Sequence, residues 1–309
     1  MCTAKARQAV ESDASLVFVD FVGYIAAFSG AAIGARAADL PVPGAQEPIA
    51  KAPAFVPSSA NLGEWYFEFG SDMECWSNPN IHVSQPALGN SFTIYNVVGH
   101  DAPAGAGEAP QFNIRFGRFL NENWGVELSL DHSKFYTDIG QIAQVKGVIG
   151  GVPLNAPTAL SSTFFTEQLH NGANHIMLAA VYRYPLIGQT NETNSLAAIG
   201  KVDVGMMLPH TSDTILGNPV NVGVKAFNNL VGVSSGWWQL NGWTTGFEIG
   251  LRYTVFKPFY LELTNKVAYS DFLNLPAFQG TMQQSMWMDE IVLTVGFTFD
   301  GTSTHPLWW

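Results

Sequence analysis

Two short runs hold the residue types of nucleophilic catalysis. Asp131-His132-Ser133 sets a histidine beside a serine, and His170-Asn171-Gly172 offers a second histidine. A serine attacks only if a base lies within hydrogen-bond reach of its hydroxyl. Both runs fall in segments with strand periodicity, where adjacent side chains point to opposite faces. His132 and Ser133 are then separated by the sheet, and His170 has glycine two residues on. His132 and His170 are the candidate catalytic residues, and the expectation leans against an enzyme. The seven histidines are scattered along the chain, so no ligand spacing for a metal emerges. No glycine-rich phosphate loop leads into a helix, and no cofactor is expected.

Composition narrows the class further. Charged residues make up 13% of the chain and aromatics another 13%, a balance too poor in charge for an ordinary soluble surface. The net charge is −11, which disfavours nucleic acid as a partner, because phosphate contacts rest on clustered Lys and Arg. Past the first segment no run approaches the ~18 to 20 apolar residues of a spanning helix.

The N-terminal segment 1–37 has the form of an export signal. Lys5 and Arg7 precede a mostly apolar stretch, and a small-x-small site closes it at Ala35-Arg36-Ala37. Glu11, Asp13 and Asp20 interrupt the pattern, and a retained helical anchor is the alternative. Residues 38–61 are rich in Pro and Ala without an apolar face and are expected to form a flexible periplasmic lead-in.

From residue 62 onward, eight segments alternate apolar and polar residues, as strands do when one side meets lipid. They are 62–70, 111–119, 124–136, 164–185, 195–208, 242–255, 258–269 and 287–299. In the last, Ile291, Leu293, Val295, Phe297 and Phe299 oppose Glu290, Thr294, Gly296 and Thr298. Ten strands result if 91–98 pairs with the start of the fourth segment. The links alternate between long (71–110, 137–163, 209–241, 270–286) and short (120–123, 187–194, 256–257). That rhythm belongs to barrels with short periplasmic turns and long external loops, and it puts both ends of the barrel on the short-turn side.

The expected fold is therefore all-β, an antiparallel up-and-down transmembrane barrel over 62–299, followed by a tail at 300–309. In hydrocarbon an unpaired backbone group costs several kcal/mol, so a crossing sheet must close on itself. Eight strands leave an interior that side chains can fill. The inward set is Glu64, Glu68, Arg115, Glu127, Asp131, Lys201, Asp203, Glu248, Arg252, Glu262, Lys266 and Glu290. Both signs are present, and a paired network is expected because a lone buried charge is heavily penalised. Trp65, Trp124, Tyr184, Trp243, Tyr253, Tyr260 and Trp287 lie near strand ends and are expected to form aromatic girdles at the two interfaces. His132 shares its parity with Leu128 and Leu130 and is expected at headgroup level. Asn171, Asn174, His170 and His175 fall at a similar height on the neighbouring strand, where a lipopolysaccharide contact or an Asn-Gly turn are the alternatives.

With this architecture, and with the aromatic Phe299 ending its last strand, the chain resembles the small Gram-negative outer-membrane β-barrel proteins. The nearer type is the transmembrane domain of outer-membrane protein A; the lipid A deacylase PagL is more distant. The resemblance covers about 62–299 and implies a bacterial outer-membrane location. Outer-membrane lipid, lipopolysaccharide and the barrel-insertion machinery would be its partners, the machinery reading Phe299 or the terminal Trp309. The deacylase type would need His and Ser two apart with a Glu aligning the His, a spacing that neither histidine run reproduces. Three functions follow: a non-enzymatic barrel serving envelope integrity or surface-loop interactions, a lipid A acyl-ester hydrolase, or a narrow channel.

Overall fold

The computed structural model describes residues 63–101, 111–220 and 239–300. The expected export signal, lead-in and tail, and the link residues Trp237 and Trp238, lie outside them.

The chain crosses, makes an external excursion, and returns. Strand β1 (Glu64–Trp76) leads out to β2 (Ile81–Gln85), β3 (Asn90–Tyr95) and β4 (Gly99–His100). The hairpin β5 (Phe112–Phe119) and β6 (Trp124–His132) comes back through the barrel. A second excursion holds β7 (Tyr136–Thr137), β8 (Ile142–Ile149), β9 (Val152–Ala159) and β10 (Phe165–Thr166). Hairpin β11 (Ala173–Ile187) and β12 (Ser195–Pro209) follows, then β13 (Thr214–Ile215) and β14 (Asn218–Pro219). The last three strands are β15 (Gly242–Phe256), β16 (Phe259–Ala277) and β17 (Gly280–Asp300).

Eight of these strands form a closed ring in the order β1-β5-β6-β11-β12-β15-β16-β17, and β17 pairs back to β1. That last pairing runs antiparallel from Trp65 opposite Phe299 to Trp76 opposite Met288. Closure leaves the ring no edge, which is what hydrocarbon demands of a sheet. The alternation in sequence becomes alternation in burial: along β6, Glu127, Ser129 and Asp131 are buried inside while Val126 and Leu128 are exposed outside. Strand 90–95, the basis of the ten-strand alternative, does form, but it lies outside the ring.

Where the described residues cover them, the long links hold strands. Expected link 270–286 is instead a continuation of β16 and β17, paired as far as Ala277 opposite Gly280. This protruding hairpin templates an extension, because Thr281 to Gln283 pairs with β2 and the sheet runs on through β3, β8 and β9. Under that sheet lies a second apolar core, including Ile81, Phe92, Phe135, Leu160, Leu275 and Met282. Barrel-strand residues Trp76, Ala173, Met207, Ala268 and Met288 share it. The external segments thus pack as a crown continuous with the outer ends of the strands.

Candidate functional site: the charged interior and its crown

All twelve expected inward charges are buried, and the strand register puts many of them side by side. Glu68 faces Arg115, Lys201 faces Glu248, Glu248 faces Lys266, and Arg252 faces Glu262 across neighbouring strands. Opposite charges at directly facing positions stabilise a sheet, so the order of charges along the strands also specifies their pairing.

The network has layers. At the short-turn end Arg183 Nη1 donates to Glu64 Oε1 at 2.9 Å, and its guanidinium carbon lies 3.6 Å from the centre of the Phe119 ring. Next, Arg252 donates to Glu68 and to Glu262, each at 2.7 Å. Lys201 lies 3.1 Å from Glu127 and 2.9 Å from Glu262, and Arg115 Nη1 donates to Glu248 at 2.5 Å. Higher still, Lys266 pairs with Asp131, and Asn113 Nδ2 donates to Asp131 and Glu290 at 2.9 and 3.1 Å.

Tyr260 departs from the sequence expectation. It is no girdle residue: it is 1% exposed, donates to Glu68 Oε1 at 3.0 Å and lies 4.1 Å under Arg252. Its parity with Glu262 sends it inward. Gly296 makes room for it, since a Cβ there would come within 2.3 Å of the Tyr260 ring. Gly117 seats Tyr66 in the same way, with a Cβ 2.2 Å from that ring, and Tyr66 donates to Glu127 at 2.7 Å. Sequence reasoning missed Tyr66 and Arg183, although each has the inward parity of its strand, and it placed Asn113 on the polar face of its strand without a role.

The other six aromatics are not buried. Trp124, Tyr184, Trp243, Tyr253 and Trp287 are exposed outward, and Trp65 stacks on Phe116 at 5.1 Å. Trp243, Tyr269 and Trp287 form a ladder at the crown end with centroids 5.5 and 5.2 Å apart. Between the two levels the outer surface is apolar, as at Phe69, Leu128, Leu178, Val202, Leu263 and Leu293, all exposed. Water would not tolerate such a belt; a bilayer would.

The histidine runs do not assemble a nucleophile. His132 lies flat on Phe112, centroids 4.8 Å apart, and its Nδ1 meets Asn174 Oδ1 at 2.7 Å. Ser133 Oγ is buried and makes no hydrogen bond to it. His170 packs edge-on against His210 at 5.1 Å. His132, expected at headgroup level, is only 7% exposed, and His175 points into the barrel, where its Nδ1 meets Thr244 Oγ1 at 3.2 Å.

The crown carries its own buried carboxylates. Glu167 and Asp213 are 0% and 2% exposed. Burial pushes both well above the usual carboxylate range, and the Asp213 charge raises Glu167 further. Gln284 Nε2 donates to Glu167 at 2.6 Å and partly offsets that rise.

No protein-family model and no curated protein matches the sequence. Among solved structures, the chain is similar to the outer membrane protein AlkL in lipid bilayers, at 13% identity and a TM-score of 0.37, covering 83% of this chain and 99% of that one. It is similar also to the outer membrane protein OprG from Pseudomonas aeruginosa, at 13% identity and a TM-score of 0.32, covering 78% and 98%. Neisserial surface protein A matches at 10% identity and a TM-score of 0.31, covering 76% and 97%. The pairing of its own strands defines the chain as a closed eight-stranded antiparallel β-barrel with a charged interior, an apolar belt and a folded crown.

Proposed function

We propose that this protein is a bacterial outer-membrane barrel that conducts nothing and works through its crown, serving envelope integrity or surface interactions. The observation that carries this reading is the filled bore. From Glu64 up to the Lys266–Asp131 pair successive layers of paired side chains are buried, and a water-filled path would have to break ion pairs that are expensive to separate. The acyl-hydrolase reading lacks support at His132, whose Nδ1 is taken by Asn174. Export, the outer-membrane location and contact with lipopolysaccharide belong to this proposal, supported by the leader pattern, the apolar belt and the aromatic ladder.

The test is planar-bilayer recording of the refolded chain, together with fractionation and surface proteolysis after expression in a Gram-negative host. The expected result is outer-membrane recovery, cleavage confined to the crown, and no steady open level. A stable unitary conductance would overturn the closed-bore reading.

A further inference from the structure

Just below the crown the balanced network gives way to acid. Asp72 and Glu74 lie on the inward face of β1, and the register sets Glu74 directly opposite Glu290 on β17. Their exposures are 6%, 4% and 0%. Like charges facing each other across a sheet destabilise it, and burial multiplies the penalty. Deeper in the bore the register sets cations against Glu68, Glu248 and Glu262; here it sets Glu74 against Glu290. Lys266, on the other side of Glu290, is engaged by Asp131. Glu74 Oε1 accepts from the Lys134 backbone N–H and from Gln111 Nε2, the latter at 2.7 Å, which leaves its other oxygen to the cluster.

The carboxylates converge. One oxygen from each lies within 4.8 Å of the others, and oxygens bound to a single Ca²⁺ at about 2.3 to 2.6 Å are at most about 5 Å apart. Asp72 Oδ1 and Oδ2, Glu74 Oε2 and Glu290 Oε2 are buried without a hydrogen-bond partner. A neutral group adds an independent indication. Asn113, 0% exposed, faces Gly70 two residues before Asp72 on the same side of β1. Its Nδ2 is held against Glu290, while its Oδ1 has no partner. A buried amide oxygen without a partner, together with four carboxylate oxygens also without one, is a donor set for a hard cation, and it contains nothing soft. Half-buried Asp101 accepts from the Glu74 backbone N–H at 3.3 Å and marks the approach from the crown side.

We propose that Asp72, Glu74 and Glu290, with the Asn113 amide oxygen, form a structural Ca²⁺ site that fastens the first strand to the last at the barrel's outer rim. Ca²⁺ suits the set better than Mg²⁺. Carboxylates can bind it through both oxygens in an irregular shell, whereas Mg²⁺ keeps several waters in a strict octahedron, for which a buried cluster has little room. The ions of the deeper network need no such help.

The test uses the full chain refolded in detergent micelles without lipopolysaccharide, stripped with chelator and titrated calorimetrically with CaCl₂. One saturable equivalent is expected, with a rise in the thermal unfolding transition, and MgCl₂ should bind at least about 10-fold more weakly. Asp72→Asn combined with Glu290→Gln should reduce Ca²⁺ affinity at least about 10-fold while leaving the heat-modifiable electrophoretic shift of a folded barrel. If that variant does not fold, wild-type unfolding with and without Ca²⁺ decides. No saturable uptake by the wild type would overturn the site. So would uptake undiminished in a folded variant, or a wild-type transition indifferent to Ca²⁺ and chelator, which would mean that shared protons neutralise the cluster.

Discussion

Arg252 donates to Glu68 across 2.7 Å, although 184 residues separate them in sequence. The contact exists because closure brings strands from the two halves of the chain around one bore. Arg252 also lies over Tyr66 and Tyr260, so its charge is neutralised and its flat faces are covered.

Arg252→Leu leaves Glu68 and Glu262 buried with one partner fewer. A loss of about 3 to 5 kcal/mol is expected, measured by urea unfolding of the refolded barrel in micelles. Arg252→Leu with Glu68→Leu should recover part of that loss, because an apolar pair replaces an uncompensated charge. No recovery in the double variant would contradict the coupling.

Gly296→Ala should destabilise by about 1 to 3 kcal/mol, because its Cβ would press on the Tyr260 ring. Combining it with Tyr260→Leu should cost less than the two changes added together. Strict additivity in the same unfolding assay would count against the ring-on-glycine seat.

The crown should be firmer in acid than in base. Glu167 and Asp213 have raised values in the folded state, so the folded crown binds protons that the opened crown releases. Their contribution is present at low pH and lost as pH rises through the folded values. Protease cleavage at the crown should be slower at about pH 5 than at about pH 8. Glu167→Gln should flatten that difference, and an unchanged pH profile in the variant would refute the assignment.

Strand β9 is the last in the described sheet, and Pro153 and Pro157 stand on one face of it with Asn155 between them, facing Val148 and Gln144. Proline supplies no N–H, so these two blunt an edge that could recruit another strand. Pro153→Thr with Pro157→Thr should shift the micelle-bound protein towards dimers or larger species in light scattering. A monomer unchanged at high concentration would show that the prolines have no such role.

The ring strands were legible because lipid outside and charge inside impose a period of two that nothing else in the chain blurs. Leu128 and Glu127 could hardly be read otherwise. Tyr260 was misread by its type, an aromatic near a strand end, when the parity it shares with Glu262 was the better guide. The crown was illegible for a physical reason: its strands pair over long separations, as when Ser84 meets Thr281, and such registers leave no local period. Asp72 and Glu74 were missed because β1 was expected to stop at residue 70, short of the rim where they meet Glu290.

The seam between β1 and β17 has a consequence in time. The strand made first must wait, its hydrogen-bonding edge and its acidic face unanswered, until the strand made last arrives to meet it. Nothing in the bore can dry before that moment, because Glu68 needs Arg252 and Thr294 from the far end of the chain. Assembly is therefore expected to be abrupt: a population that is either wholly threaded or not threaded at all, with the half-built barrel the one form the lipid will not hold.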